Sequence, residues 1–365
     1  MQVLSRRTAL KNMTLTGAGF FLLPNGLWAR SSAPKKLGIA LVGLGYYSTD
    51  LLAPALQKTA NCYLAGIVTG TPAKAEKWQK QYNIPDKNIY NYQNFDQIAN
   101  NPDIDVVYVV LPPSMHEEYV IRAANAGKHV WCEKPMAMTE KACLNMIAAC
   151  KKNKRNLAIG YRLHHEPTTK AWRQIIQKQQ LGKVQSIENT AAYRDNRTNH
   201  WKQIRELGGG ALLDMGVYAI QGARMAANAE PTAVLSATTS TTRPEIYTNG
   251  LEETAVAKLQ FPGGIIADIK TSFGENSNFN YIQCEKGRLE IEPFSGYGNL
   301  KAKSPLGEIF NAYQVPQQQV NQMDNEALRI MNKQSALVPG EEGLRDIRIV
   351  EAIKKAAKTG KMVGL

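Results

Sequence analysis

Three short motifs in this 365-residue chain hold residue types that can do chemistry together. Glu133-Lys134-Pro135 sets a single lysine at the end of an apolar run. Asp214 and Tyr218 stand four residues apart, just after Gly208-Gly209-Gly210. Gly43-Leu44-Gly45-Tyr46-Tyr47-Ser48 closes another apolar run. The first motif offers a cation, and the second a carboxylate and a phenol on one helical face. The third offers a glycine turn where a helix N-terminus can receive a pyrophosphate. A phenol with an ammonium beside it can exchange an alcohol proton, and a dinucleotide can carry the matching hydride. The spacing therefore predicts hydride transfer to or from an alcohol carbon. Lys134 would hold the hydroxyl, Tyr218 would move its proton and Asp214 would orient the substrate.

These residues need a scaffold, and the hydrophobic pattern supplies one. Apolar strand-like runs at 37–42, 63–68, 105–111, 128–132 and 156–160 alternate with helical patterns at 50–59, 73–82, 95–100 and 139–153. Ser114 and Glu117 read as a capping box opening a further helix. Such alternation predicts a doubly wound parallel sheet of the Rossmann type over residues 36–158. After Gly160 the texture changes. One helix pattern spans 166–179, and strand-like runs follow at 184–193, 232–240, 254–261, 265–272, 281–285 and 288–291. They predict an α+β domain over 159–342 with a large, open, mainly antiparallel sheet. A helical pattern at 343–359 opens a C-terminal helix and tail, 343–365.

The glycine turn uses Gly43 for the tight bend and Gly45 for close approach of the pyrophosphate, with Ser48 in the third small position. At the end of the second strand stands Thr69-Gly70-Thr71-Pro72-Ala73-Lys74. No carboxylate there repels a 2′-phosphate, while two hydroxyls and a lysine can bind one, which favours NADP over NAD.

Net charge is +13, but the basic residues are scattered among acidic ones, with no basic aromatic run. Nucleic acid is therefore not an expected partner. The five cysteines form no C-x-x-C pair and read as mostly buried thiols, with no metal site. Ser5-Arg6-Arg7-Thr8-Ala9-Leu10-Lys11, followed by an uncharged stretch to Ala29, resembles a twin-arginine export signal over 1–29. The expectation is a periplasmic protein with no membrane attachment after export and a short arm at 30–35.

Across residues 36–359 the chain resembles the Gfo/Idh/MocA oxidoreductases, and within them the glucose–fructose oxidoreductase branch. Ala126-Gly127-Lys128-His129-Val130-Trp131-Cys132-Glu133-Lys134-Pro135, Gly160-Tyr161-Arg162, Leu181-Gly182-Lys183-Val184 and the stretch from Trp201 to Tyr218 carry the likeness. Most of the superfamily has His where Tyr218 stands; the glucose–fructose branch has Tyr. The resemblance implies catalysis by Lys134 and Tyr218 with Asp214 beside them. It also implies cofactor contacts from Gly43, Gly45, Tyr46, Tyr47, Ser48, Thr69, Thr71, Lys74, Tyr92, Glu133, Lys134, Arg162 and Trp201, and a cis bond before Pro135. Lys202 stands where that branch has Arg, which weakens a bidentate grip on a phosphate or carboxylate. The branch's long Pro-rich arm has no counterpart here, so a homodimer through the open sheet is expected rather than its tetramer.

The reaction so implied is oxidation of an aldose at C1 to its lactone, coupled to reduction of a second sugar by a retained cofactor. Two other readings stay open from the sequence. One is a glycosidase acting by transient oxidation and elimination with bound NAD. The other is a catalytically silent protein that binds sugar and dinucleotide.

Overall fold

The computed structural model describes residues 35–365. The export segment expected at 1–29 and nearly all of the arm expected at 30–35 lie outside the described residues.

Strand β1 (Leu37–Val42) is apolar on both faces, as a central parallel strand requires. It is flanked by β2 (Cys62–Val68) and β4 (Val106–Val109), with β3 (Ile89–Tyr90), β5 (His129–Cys132) and β6 (Leu157–Ile159) outward of them. The order β3-β2-β1-β4-β5-β6 is the doubly wound arrangement, and every pairing in it is parallel. Its order reverses at β1, where the carboxyl ends of β1 and β4 open a crevice. Helices α1 (Ala53–Leu56), α2 (Pro72–Tyr82), α3 (Pro113–Asn125) and α4 (Glu140–Lys152) connect the strands.

A nine-stranded sheet follows. It contains β7 (Val184–Ala192), β8 (Ala233–Ser240), β9 (Thr254–Gln260), β10 (Ile266–Ser272), β11 (Ser277–Cys284), β12 (Gly287–Ile291), β13 (Lys301–Ser304), β14 (Gly307–Phe310) and β15 (Val363–Gly364). All its pairings are antiparallel except β7 with β10. Helices α5 (Pro167–Gln177), α6 (Val217–Ala227) and α8 (Gly340–Thr359) accompany it. One continuous core joins α3, α4, α6 and α8 to residues of both sheets. All five cysteines are buried thiols.

Three local expectations are corrected. The capping box at Ser114 does not form: α3 starts at Pro113, behind Pro112, with no side-chain cap. Proline suits the first helical position because its missing N–H would be unsatisfied there anyway. The glycine turn leads into a π-helical turn, Ser48–Leu52, and only then into a short α1. Asp214 also lies in a π-helical turn, Leu212–Gly216, so it precedes the α-helix that holds Tyr218. Such widened turns are frequent at functional sites.

The sequence reading gave no element at helix α7 (Gln317–Met331), although Val320, Met323 and Ala327 stand at helical spacing. The helix returns to the first sheet: Val320, Met323 and Ala327 pack into the core beside Leu52, Leu56 and Tyr108. Asp324 fixes the approach by accepting the backbone N–H groups of Ala60 (2.9 Å) and Asn61 (2.7 Å).

Candidate active site

Lys134 stands two residues past the end of β5, at the carboxyl end of the parallel sheet, and its bond to Pro135 is cis, as expected. Its Nζ donates to the Asp214 backbone oxygen at 2.8 Å and to Asp214 Oδ1 at 3.2 Å. The same ammonium lies 4.6 Å from the centre of the Tyr218 ring. The three residues chosen for catalysis are therefore brought together, all of them largely buried.

Asp214 has a second cation. Lys202 Nζ donates to its Oδ2 at 2.5 Å and to the Tyr193 hydroxyl at 3.0 Å. Burial alone would push the Asp214 carboxyl up, but the two ammoniums outweigh it and hold the group well below the usual carboxylate range. Burial pulls Lys134 down, yet Asp214, Tyr218, Tyr297 and Glu133 together hold it above the ordinary lysine value. Lys134 is thus a fixed cation at neutral pH.

Glu133 points the other way. Gly160 leaves room for it: a Cβ there would come within 2.5 Å of Glu133 Oε1. The carboxylate accepts from the Tyr108 hydroxyl at 2.5 Å, and Gln322 Nε2 donates to that hydroxyl at 2.7 Å. Burial raises Glu133 to about 7, against the pull of Tyr108 and Lys134. Arg162 is buried beside it. Its guanidinium donates to the Ser295 and Gly296 carbonyls and to Gln318 Oε1, and its Cζ lies 5.2 Å from the Tyr218 ring centre and 4.6 Å from that of Tyr297.

Most of the remaining residues expected at the cofactor stand on the segments that follow β1, β2 and β3. Gly43 has φ +91°, and a Cβ there would stand 2.4 Å from the Val110 oxygen, so only glycine fits. A Cβ on Gly45 would meet nothing within 4 Å. Ser48 is buried, and its hydroxyl donates to the Gly43 carbonyl at 2.6 Å. Thr69 Oγ1 accepts the Thr71 N–H at 3.2 Å. Lys74 reaches back to the Leu44 carbonyl at 3.1 Å, and the Tyr92 ring lies against Gly70. Tyr47 is partly buried, its ring 6.1 Å from that of Tyr297. Tyr46 is exposed, and the Trp201 ring centre lies 5.6 Å from Lys202 Nζ.

A dinucleotide fits this set on three observations. Gly45 leaves backbone approach open. No carboxylate occupies 69–74. The Nε of Arg162 and the Oε1 atoms of Gln319 and Gln322 are buried without a hydrogen-bond partner in the protein, leaving capacity for a polar ligand.

Sequence reasoning missed Tyr297, Tyr193 and the three buried glutamines of α7. Gln318, Gln319 and Gln322 repeat at helical spacing, a signal that could have been read as one buried polar face. Tyr297 sits between Gly296 and Gly298 in a loop with no period to read.

A family model described as "Oxidoreductase family, NAD-binding Rossmann fold" matches residues 37–161, and one described as "GFO/IDH/MocA C-terminal domain" matches 169–290. The aldose-aldose oxidoreductase from Caulobacter crescentus, solved with glycerol, superposes with a TM-score of 0.86 at 36% identity, over 91% of this chain and 100% of that one. The D-xylose 1-dehydrogenase [NADP(+)] of Haloarcula marismortui is 26% identical over 350 residues, 93% of this chain and 96% of that protein. The trans-1,2-dihydrobenzene-1,2-diol dehydrogenase of Xenopus laevis is 32% identical over 226 residues, 60% of this chain and 64% of that protein.

Proposed function

The chain belongs to the Gfo/Idh/MocA oxidoreductases, and from that premise we propose that it is an NADP-dependent sugar oxidoreductase that oxidises an aldose at C1 to its lactone and passes the reducing equivalents to a second sugar. The observation that carries the reading is the cluster of Lys134, Asp214 and Tyr218 at the mouth of a dinucleotide crevice. The likeness to an aldose-aldose oxidoreductase over the whole fold supports the two-sugar form, and the likeness to NADP-dependent xylose dehydrogenases supports the cofactor.

Bound NADP would supply the hydride-accepting and, once reduced, hydride-donating chemistry. Gly43, Gly45 and Ser48 would hold its pyrophosphate, Thr69, Thr71 and Lys74 the 2′-phosphate, and Glu133, Arg162 and Tyr47 the nicotinamide end. The Lys134 ammonium holds the C1 hydroxyl oxygen and stabilises the negative charge that builds on it. Tyr218 takes the hydroxyl proton as its phenolate on oxidation and gives it back as the phenol on reduction. Asp214 fixes the ammonium and accepts from a neighbouring sugar hydroxyl. The Ser5-Arg6-Arg7 segment supports export by the twin-arginine route, which delivers a folded protein with its cofactor.

An aldose deuterated at C1, incubated with enzyme and an unlabelled second sugar, tests this. Deuterium should be recovered on carbon of the reduced sugar, with lactone in equal amount. Label recovered only in NADPH formed from added free NADP, with no transfer between sugars, sinks the coupled reaction.

A further inference from the structure

Lys202 is not among the residues to which hydride chemistry is assigned above, yet its ammonium has as close a grip on Asp214 as Lys134 does. Its Nζ stands 2.5 Å from Oδ2, on the carboxylate oxygen opposite the one Lys134 holds at 3.2 Å. The Tyr193 hydroxyl accepts a further bond at 3.0 Å. The rings of Tyr193, Trp201 and Phe273 enclose the ammonium, their centres 5.3, 5.6 and 5.9 Å away. The side chain is 18% exposed.

We propose that Lys202 is a positioning residue of the reaction, holding Asp214 by Oδ2 so that its Oδ1 and main-chain oxygen face Lys134, and leaving the three-residue cluster with a net positive charge. The proposal rests on the hydride-transfer reading above. Lys134 and Asp214 alone would form a neutral pair, whose carboxylate offsets much of the ammonium's attraction for a developing alkoxide. With Lys202 shared on the same carboxylate, two positive charges stand against one negative. The surplus charge faces the substrate oxygen in a site shielded from water, where it counts most.

The groups facing Lys202 can be named from every side. Asp214 lies on the π-helical turn and Lys134 after β5. Tyr193 and Asp195 follow β7. Arg197 and His200 stand on its own loop, with Arg197 tied to Asp195 at 2.6 Å and so unable to replace Lys202 on Asp214. Burial pushes the Lys202 ammonium below the ordinary lysine value, with Lys134 and Arg197 adding to it against Asp214. Lys134 is held above that value. As pH rises, Lys202 therefore loses its proton first. Arginine keeps its charge throughout.

The test is the pH profile of aldose-dependent NADP reduction in the wild type, Lys202→Arg and Lys202→Met. The ¹⁵N lysine-ammonium spectra of the wild type and Lys202→Arg, without cofactor, are recorded beside it. Lys202→Met should lower kcat by about tenfold to a hundredfold. Lys202→Arg should restore most of that loss and move the alkaline limb of kcat/KM up by at least about one pH unit. Beside the signals of the buried Lys128 and of Lys354, which burial also pushes down, the wild type should show a solvent-protected ammonium that titrates below Lys134 and is absent from Lys202→Arg. An alkaline limb left in place by Lys202→Arg, or a Lys202→Met rate within about twofold of wild type, overturns the proposal. A wild type in which no aldose reduces NADP overturns the functional reading instead, and the ammonium spectra then decide Lys202 separately: if Lys202→Arg removes no ammonium signal that titrates below Lys134, the proposal is wrong.

Discussion

The Nζ atom of Lys134 lies 2.8 Å from the main-chain oxygen of Asp214 and 3.2 Å from its Oδ1. This two-point grip ties the end of a strand in the first sheet to the turn that launches α6 under the second. It fixes the ammonium in direction as well as charge, which a flexible lysine on a surface cannot offer. The site is thereby assembled by folding, before any substrate arrives.

Replacing Asp214 by Asn leaves two buried ammoniums with no anion between them. Breaking a buried pair in this way costs about 3–5 kcal/mol, and urea unfolding should register a loss of that order near neutral pH. The sign of its pH dependence follows. The Asp214 carboxyl is held below its ordinary value, so its contribution is complete above about pH 4. It is lost as pH falls through the depressed folded value. The difference between wild type and Asp214→Asn should therefore shrink on acidification. Equal stability at neutral pH would contradict the ion-pair account.

Lys134→Ala and Tyr218→Phe should each lower kcat by about 10²- to 10⁴-fold, the range expected for a general acid–base group or a charge stabiliser. NADP affinity, measured by fluorescence titration, should stay within a few fold for Tyr218→Phe. Near-normal rates in both variants would remove these residues from the chemistry.

The two glycines of the turn should separate folding from binding. Gly45→Ala places a methyl in open space, so the melting temperature should hold while dinucleotide affinity falls. Gly43→Ala forces a Cβ against the Val110 oxygen at positive φ, so stability and affinity should fall together. Calorimetry and a binding titration on the same two preparations give the comparison.

Lys74→Glu should act on the 2′-phosphate alone. Affinity for NADP should drop by about tenfold or more, as for loss of one charge-assisted contact plus a like-charge repulsion, while affinity for NAD changes little. Equal losses for both cofactors would move Lys74 out of the phosphate site.

Much of this was legible in the sequence where the physics is local. Unbroken apolar runs such as Leu37–Val42 announce buried parallel strands, and a Gly-x-Gly turn after one announces a crevice. Lys134, Asp214 and Tyr218 were found by residue type and spacing. The π-helical turns were not, because widening a turn at Ser48–Leu52 or Leu212–Gly216 changes no apolar period enough to read. Helix α7 was missed because its first turn is Gln317-Gln318-Gln319. The amides of Gln318, Gln319 and Gln322 look exposed until Arg162, Tyr47 and Tyr108 are known to meet them. Lys202 was noticed only as a weaker grip than arginine. What it grips, Asp214, became visible once the loop before the glycine run was seen folded back over the carboxylate.

The most direct measurement is the absorbance of the NADP-loaded enzyme in single turnover, first with an aldose and then with a second sugar. The reduced-nicotinamide band should rise with the aldose, in an amount matching the bound cofactor, and fall on addition of the second sugar, and Lys134→Ala should show neither change. A band that no free aldose can raise would contradict the account.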